Sequence, residues 1–368
     1  MMKQYGAIFL VYFSIGLLIA ACSKKEPVGS NILQTASPET QNLDPQKLSE
    51  VERRIEAGDY GNIHSLIIIR NDHMVMEKYF RGYTREDLHF VYSVTKSITS
   101  ALVGIALEQN KISGLDSKLL SYFPQYPALE NHHPDKENIR LEDVLTMSTG
   151  LLWDEWTNPY GHPQNDATLM STSPDWIKHM LDRPMITTPG SQFSYSSGCT
   201  MLLSGILQET TGQTAEDFGG DHLFEYLRMK WQWNKGPNNL TNTGWGLFLR
   251  PIDIANFGQL YLNGGSIDGE QIISSDWIQN STGTHIDAGN YNYGYQWWRF
   301  KDDHHVVSSL AINDLYFAWG YRGQFLFVIP HLDMVVVSTA DNVTESTRTF
   351  AFLRDYILGA VLDAIHNS

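Results

Sequence analysis

The sequence has few cysteines and few basic residues for its length. Its 368 residues include only 2 cysteines, and neither lies in a CxxC or Cys/His cluster. Two cysteines are too few for a disulfide framework in a chain of this size. The 26 Lys and Arg residues are outnumbered by 41 Asp and Glu residues, which gives a formal net charge of -15. Because that charge repels phosphate backbones, nucleic acid is not an expected partner.

The sequence also lacks the short motifs of several enzyme classes. It contains no HExxH or HxHxDH pattern, and the pairs His132-His133 and His304-His305 lie in polar stretches where we expect them to be solvated. We therefore expect no metal and no other cofactor. It contains no GxSxG motif either. The usual nucleophile signal of an α/β-hydrolase is thus absent.

Long apolar runs are confined to the N-terminus, "MMKQYGAIFLVYFSIGLLIAACSKK". A lysine near the start, an apolar run and small residues before Cys22 are typical of a signal peptide, here residues 1–21. The ending "LLIAAC" resembles the lipobox of bacterial lipoproteins, which implies a lipidated Cys22 as the mature N-terminus. The domain would then be anchored to a membrane of the cell envelope and lie outside the cytoplasm, in the periplasm. The alternative is an uncleaved anchor helix. Lipidation of Cys22 would leave Cys199 unpaired.

The mature chain divides into a spacer and one domain. Residues 22–45 are polar, contain proline and show no apolar periodicity, so we predict a flexible linker. From residue 46 the pattern changes, because Leu48, Val51 and Ile55 recur at helical spacing. The domain is predicted to span residues 46–368.

Strand signals lie at both ends of this domain, and helical signals lie between them. The runs "HSLIIIR" and "MVMEKYF" near the start, and "YGYQWWRF", "GQFLFVIP" and "MVVVSTA" near the end, are typical of strands. We therefore predict an α/β fold of the α+β type, with one mixed sheet formed by residues 46–92 and 285–368. Residues 93–284 would form an inserted helical part.

A serine and a lysine three residues apart begin one apolar helix, "SVTKSITSALVGIAL". Residues three apart lie on the same helical face, so Lys96 can reach Ser93. A serine nucleophile needs such a base, and burial would lower the pKa of the amine enough to supply one. The alternative is that Ser93 is an ordinary N-cap and Lys96 a solvated amine.

Two further stretches bear on that choice. Tyr195 stands before another apolar helix in "PGSQFSYSSGC", where its phenol could enter a cleft or simply join the core. A lowered pKa of Tyr195 would require a nearby positive charge, for which Lys96 is the source. Gly320 and Gly323, in "WGYRGQFLF", permit close backbone approach to a ligand, or form a simple turn.

Taken together and in order, these residues resemble a family of serine hydrolases. It includes class C β-lactamases, low-molecular-weight penicillin-binding proteins, carboxylesterases and 6-aminohexanoate-oligomer hydrolases. In the class C branch a serine/lysine motif is followed by Y-x-N and then by K/H-x-G on an edge strand. The matching segments here are "SVTK" from Ser93, "YSS" from Tyr195 and "YRG" from Tyr321. The resemblance covers the chain from about Gln46 and implies a β-lactamase-like fold.

The resemblance also implies roles for individual residues. Ser93 would form an acyl-enzyme, and Lys96 and Tyr195 would share the proton transfers. The backbone N–H groups of Ser93 and Gln324 would bind the oxyanion. Ser197, Tyr321, Arg322, Gly323 and Trp153 are the candidate substrate contacts.

Two departures from the pattern affect the expected substrate. Ser197 stands where asparagine is usual, and Tyr321 stands where Lys or His would bind a substrate carboxylate. Both favour an esterase or a 6-aminohexanoate-oligomer-type amidase, acting on a small-molecule substrate, over a β-lactamase or a D-Ala-D-Ala peptidase. A penicillin-binding or sensor lipoprotein without turnover is the competing hypothesis. The oligomeric state is left open.

Overall fold

The structure is a computed structural model that describes residues 33–308, 312–343 and 348–361. The predicted signal peptide, residues 1–21, and the predicted lipidation site Cys22 lie outside the described residues. Within the described ranges, no helix combines the length and the apolar character needed to cross a membrane.

A large sheet forms the centre of the fold. The strands of the described residues are β1 (Gln34–Thr35), β2 (Ile63–Arg70), β3 (His73–Tyr79), β4 (His89–Phe90), β5 (Trp231–Trp233), β6 (Leu247–Leu249), β7 (Ser266–Ile267), β8 (Glu270–Gln271), β9 (Ile286–Ala288), β10 (Tyr291–Tyr293), β11 (Trp298–Phe300), β12 (Tyr316–Gly320), β13 (Gln324–Ile329) and β14 (Met334–Ala340). The main sheet has the order β1-β3-β2-β14-β13-β12-β11-β10-β9 across the described chain. All its pairs are antiparallel except β1 with β3. Since β2 pairs with β14, the two ends of the chain build one mixed sheet, and this prediction is confirmed.

The helices lie mostly between the two halves of that sheet. They are α1 (Pro45–Ala57), α2 (Val94–Glu108), α3 (Leu141–Leu145), α4 (Asp166–Thr172), α5 (Trp176–Leu181), α6 (Ser197–Thr211), α7 (Ala215–Gly219), α8 (Pro251–Leu262), α9 (Ser275–Thr282) and α10 (Arg348–Phe352). Helix α1 is the one predicted from its apolar spacing. The carboxylate of Asp44 caps it by accepting from the amide of Gln46 at 2.8 Å, and Gly58 ends it with a φ of 85°.

Helices cover both faces of the main sheet. Side chains alternate along β13, so Leu326 points to one face and Phe325 to the other. Leu326 packs against α8 at Gly258, and the ring of Phe325 packs against Phe350 of α10 at 5.0 Å between centroids. Every residue of β13 is consequently buried. Helix α8 was predicted within the inserted helical part, but it packs directly on the main sheet and covers one of its faces.

The inserted part packs around α2. This helix contacts α6 and α7 on the helical side and β12 and β13 of the main sheet. Beside it, β4, β6 and β5 form a small antiparallel sheet. Strand β4 leads directly into the start of α2, so the two sheets meet close to Ser93.

The predicted linker over residues 22–45 is too long. Strand β1 pairs in parallel with β3, and Leu43 is fully buried. The side-chain amide of Asn71 donates to Gln41 at 2.9 Å. An exposed sheet edge carries unpaired backbone groups, and β1 satisfies them along β3. Any flexible spacer therefore ends before Gln34.

The close approach of α8 to the sheet gives a prediction about stability. A Cβ atom on Gly258 would lie 2.5 Å from Cδ1 of Leu326 and 2.7 Å from Cγ1 of Val335. We expect Gly258→Val to lower the free energy of unfolding by about 1–3 kcal/mol, because the packed sheet cannot accommodate the side chain. Asn256→Val, at a half-buried position of the same helix, is the matched control. Urea unfolding measures both variants, and equal stability of the two would contradict the prediction.

Candidate active site

Ser93 lies at a tight turn between β4 and α2. The preceding residue, Tyr92, has a φ of 47°, in the left-handed region that few non-glycine residues adopt. Ser93 occupies the N-cap position of α2, but its side chain makes no capping hydrogen bond. Its hydroxyl instead accepts from Nζ of Lys96 at 3.0 Å. The side chain of Ser93 is therefore not an ordinary N-cap of α2.

Lys96 is buried directly behind Ser93. Only 1% of the residue is exposed. Besides Ser93, its Nζ donates to Oγ of Ser197 at 3.1 Å and to the carbonyl oxygen of Gly244 at 2.6 Å. A Cβ on Gly244 would lie 2.8 Å from Cε of Met201. The absence of a side chain therefore lets this carbonyl reach the amine.

Burial controls the protonation of this amine. Loss of hydration lowers the pKa of Lys96 from 10.5 to about 8, against the opposing effect of the negative charge of Glu155. A substantial fraction of the amine is therefore neutral near physiological pH. A neutral amine 3.0 Å from a serine hydroxyl has the position of a general base.

Tyr195 lies on the other side of Lys96. The Nζ atom is 5.0 Å from the centre of its ring. The ring is stacked between Trp156 and Trp298, with centroid distances of 5.3 Å and 5.5 Å. Burial raises the pKa of the phenol far above its usual value, the charge of Glu155 adds to this, and an interaction with Ser93 opposes it. Lys96 therefore does not bring about a lowered pKa of Tyr195, and the phenol keeps its proton.

Ser197 begins helix α6 next to Lys96. Its hydroxyl accepts from Lys96 and donates to Oε1 of Glu155 at 3.0 Å, and its amide donates to Oε2 of Glu155 at 2.8 Å. Ser197 is 2% exposed. The serine that replaces the expected asparagine thus connects the lysine to a carboxylate.

Glu155 is the residue of the site that the sequence reasoning missed. It lies in the aromatic stretch "GLLWDEWTNPYGHP", from which only Trp153 was predicted to be a site residue. It is 3% exposed, and it also accepts from Nε1 of Trp153 at 2.8 Å and from the hydroxyl of Tyr160 at 3.1 Å. A carboxylate among tryptophans and tyrosines, which can donate hydrogen bonds, was the available signal.

Trp153 differs from its predicted role. It is 5% exposed and packs beneath Gly198 of α6, where a Cβ would lie 2.9 Å from the indole. Its indole N–H holds Glu155 instead of facing a substrate. The neighbouring Trp156, which is 62% exposed, lines the cleft in its place.

The turn between β12 and β13 forms another wall of the site. A Cβ on Gly320 would lie 2.3 Å from the carbonyl oxygen of Val91, so this glycine allows β12 to approach the segment that carries Ser93. Gly323 has a φ of 96°. Gln324 begins β13, and its side chain donates to the carbonyl of Ala340 in β14 at 2.5 Å. Its backbone is thereby held at the end of the strand nearest the turn.

Tyr321 and Arg322 project from this turn in different environments. The ring of Tyr321 meets Tyr92 and Tyr160 edge-on, at 5.6 Å and 5.2 Å between centroids. The guanidinium of Arg322 pairs with the carboxylate of Asp341 at 2.7 Å. The arginine is therefore already neutralised by a partner.

Two cavities meet at Ser93, and Tyr160 and Tyr321 contribute to both of them. The first has a volume of about 300 Å³ and is lined by Ser93, Glu155, Trp156, Asn158, Pro159, Tyr160, Tyr195, Trp298, Trp319 and Tyr321. The second has a volume of about 420 Å³ and is lined by Phe90, Tyr92, Ser93, Tyr160, Gly161, Ala167, Thr168, Ser171, Ser197, Trp245, Tyr321 and Arg322. A substrate bonded to Ser93 would thus have space on both sides.

The structure shows no site suited to a metal ion in the ranges it describes, where no three His, Cys, Asp or Glu side chains cluster. The thiol of Cys199 is free and buried. Burial raises the pKa of this thiol to about 11, so it stays protonated.

Known proteins resemble this chain in fold and, at low identity, in sequence. A 6-aminohexanoate-dimer hydrolase of Paenarthrobacter ureafaciens is 23% identical over 378 residues, which cover 94% of this chain and 88% of that protein. Among solved structures, the "Putative 6-aminohexanoate-dimer hydrolase from Bacillus anthracis" superposes with a TM-score of 0.72 at 21% identity, covering 91% of this chain and 88% of the other. The octameric penicillin-binding protein homologue from Pyrococcus abyssi gives a TM-score of 0.66 at 19% identity, covering 86% and 77%. At these identities the structural likenesses establish the fold.

Membership of a family comes from a separate comparison. The family model described as "Beta-lactamase" matches residues 61–357, which include the sheet and the cleft around Ser93. The Paenarthrobacter relative and the Bacillus anthracis structure are named as hydrolases, in agreement with a serine nucleophile and a base. The chain therefore belongs to the β-lactamase family and is a serine hydrolase that acts on ester or amide bonds.

Proposed function

We propose that the protein hydrolyses a carboxylic ester or amide through an acyl-enzyme on Ser93. The observation that carries this proposal is the 3.0 Å contact between Nζ of Lys96 and Oγ of Ser93, made by a fully buried amine. Lys96 removes the hydroxyl proton as Oγ attacks the carbonyl carbon. The lowered pKa of Lys96 supports this assignment, because a protonated amine cannot act as a base.

Tyr195 acts as a proton donor in this scheme. Its raised pKa keeps the phenol protonated beside Lys96 and Ser93. When the tetrahedral intermediate collapses, Tyr195 protonates the leaving group and recovers a proton from Lys96. The backbone N–H groups of Ser93 and Gln324 stabilise the oxyanion. Water then attacks the acyl-enzyme. Tyr195, Lys96 and Ser93 exchange protons in the reverse order, which releases the acid and restores the hydroxyl of Ser93.

The cleft favours substrates without a carboxylate next to the scissile bond. Among the described residues that line its two cavities, Arg322 is the one cation, and it is paired with Asp341. Tyr321 offers a ring in the place where a Lys or His would bind an anion. Aromatic walls instead suit apolar acyl and leaving groups. These features favour an esterase or a 6-aminohexanoate-oligomer-type amidase, and the name of the Paenarthrobacter relative supports the latter.

The attachment to a membrane is part of the same proposal. A lipidated Cys22 would leave the domain on a short spacer outside the cytoplasm, most simply in the periplasm. Since β1 pairs with β3 at Gln34, that spacer contains fewer than a dozen residues. The domain would thus be held close to the membrane surface.

Substitution of the anchor residue tests this location. We expect Cys22→Ala to move the protein from the membrane fraction to the soluble fraction or to a retained precursor, because no lipid can be attached. Metabolic labelling with a fatty acid, followed by fractionation, makes the measurement. The matched control is Ser23→Ala, which keeps the cysteine. An unlabelled wild-type protein in the membrane fraction would indicate an uncleaved anchor helix.

A covalent probe tests the nucleophile. We expect a fluorophosphonate to add once to the wild-type protein at Ser93, and Ser93→Ala to show no adduct in intact-protein mass spectrometry. Turnover should be seen with p-nitrophenyl esters or 6-aminohexanoate oligomers and should exceed that with β-lactams or D-amino-acid peptides. Hydrolysis of nitrocefin as fast as that of the esters would reverse the substrate preference. A stable adduct without turnover of any substrate would indicate a binding protein.

The pH dependence of acylation tests the base. The rate should rise with pH and reach half its maximum near pH 8, since only neutral Lys96 accepts the proton and its pKa is about 8. Stopped-flow acylation by a p-nitrophenyl ester gives this profile. Lys96→Arg, which stays protonated, should lose about 100-fold or more and show no such rise. An acylation rate in the wild type that does not change across pH 8 would assign the base elsewhere.

A further inference from the structure

Glu155 has an unusual environment for a carboxylate. It is buried to 3% exposure and accepts hydrogen bonds from Trp153, Tyr160 and both the amide and the hydroxyl of Ser197. In the part of the chain that the structure describes, it forms no hydrogen bond or ion pair with Lys96 or Ser93, although it lines the same cavity as Ser93. Its route to Lys96 is through the hydroxyl of Ser197 and through its charge.

The direction of each hydrogen bond follows from what each group can do. An ionised carboxylate can only accept, so the hydroxyl proton of Ser197 points to Oε1 of Glu155. The oxygen of Ser197 then presents a lone pair to Lys96, and Lys96 must donate to it. The carbonyl oxygen of Gly244 is likewise only an acceptor.

These two acceptors take up two of the three hydrogen-bonding directions of the Lys96 amine. A neutral lysine has two N–H bonds and one lone pair. If the N–H bonds point to Ser197 and Gly244, the lone pair is directed to the remaining neighbour, the hydroxyl of Ser93 at 3.0 Å. That is the orientation a base needs to remove the proton from Ser93.

We propose that Glu155 is a positioning residue that, by fixing the hydroxyl of Ser197, directs the lone pair of Lys96 at Ser93. The inference rests on the proposed function of Ser93 and Lys96. It also accounts for the serine at position 197. An asparagine amide has a separate donor and acceptor, whereas a hydroxyl rotates and can donate to either neighbour. Glu155 removes this ambiguity.

Glu155→Gln tests the proposal with little change of shape. The glutamine oxygen would face the two fixed donors, the indole of Trp153 and the amide of Ser197. Its NH₂ group would then donate to the hydroxyl of Ser197, which becomes free to donate to Lys96 and to capture the lone pair. We expect the maximal acylation rate to fall about tenfold or more, with little change in KM.

The same substitution should move the pH profile. Lys96 acts when neutral, and the negative charge of Glu155 favours its protonated form. Removal of that charge lowers the pKa of Lys96, so the midpoint of the rise should shift downward by about one unit. The other titratable groups facing Lys96 are Tyr195 and Cys199, and burial raises the pKa of both. A loss caused only by altered packing would leave the midpoint where it was.

Two further variants complete the test. Ser197→Ala removes the connecting hydroxyl, so adding Glu155→Gln to it should cost much less rate than in the wild type. Glu142→Gln is the matched control, because Glu142 also accepts a tyrosine hydroxyl, that of Tyr295, but pairs with Arg140. It should change neither rate nor midpoint. Circular dichroism and thermal unfolding establish that each variant is folded.

The possible results separate this inference from the function on which it rests. Failure of the wild type to form an adduct at Ser93 would remove the proposed function itself. A wild type that is acylated normally, with Glu155→Gln equal to it in rate and midpoint, would overturn only the role of Glu155. Equal losses from Glu155→Gln with and without the Ser197 hydroxyl would also overturn it.

Discussion

A lysine amine kept out of water is the constraint on which the rest of the site depends. An isolated buried ammonium is costly, so such an amine needs acceptors, a lowered pKa or both. Helix α2 is buried along most of its length and carries Lys96 into the interior, and the carbonyl of Gly244 and the hydroxyl of Ser197 meet it there. Both partners come from the inserted helical part. The packing of that part against α2 thus determines which groups surround the amine behind Ser93.

The carboxylate of Glu155 influences the pKa of this amine without pairing with it directly. Glu155 is near enough to oppose the lowering of the Lys96 pKa, yet Ser197 lies between the two groups. A direct ion pair would favour the protonated amine and remove the base. The same negative charge helps to keep Tyr195 protonated. Glu155 therefore acts in the same sense on both groups and favours their protonated forms, whereas burial lowers the pKa of the amine.

The fold was largely predictable because its signals are local and periodic. The apolar spacing of α1 predicted that helix. The strand runs at both ends of the domain, with helices between them, favoured one mixed sheet formed by both ends. The pair Ser93 and Lys96 was predictable because helical geometry alone brings residues three apart together. The extent of the linker was not predictable, because β1 forms by pairing with the edge of β3 and no local pattern in the sequence reveals that pairing.

Contacts between distant segments explain what the sequence could not give within the site. Glu155 reaches Ser197 only after its loop folds over α6, and Trp153 turns inward while Trp156 turns outward for the same reason. The pKa of Tyr195 depended on two opposing effects. The interaction with Ser93 lowers it, but the ring is stacked against Trp156 and Trp298, and loss of water, to which the charge of Glu155 adds, prevails.

The turn between β12 and β13, beside Ser93, carries a charge that is already paired. Arg322 stands at the turn beside Ser93, where a free guanidinium would attract a carboxylate. The carboxylate of Asp341, just after β14, pairs with this guanidinium at 2.7 Å, and the neighbouring position carries the ring of Tyr321. An anionic group at this turn would therefore give up its hydration and compete with Asp341 for Arg322, whereas an apolar chain gives up no hydrogen bonds to water. At this turn the arginine is thus already paired, and the neighbouring position carries an uncharged ring.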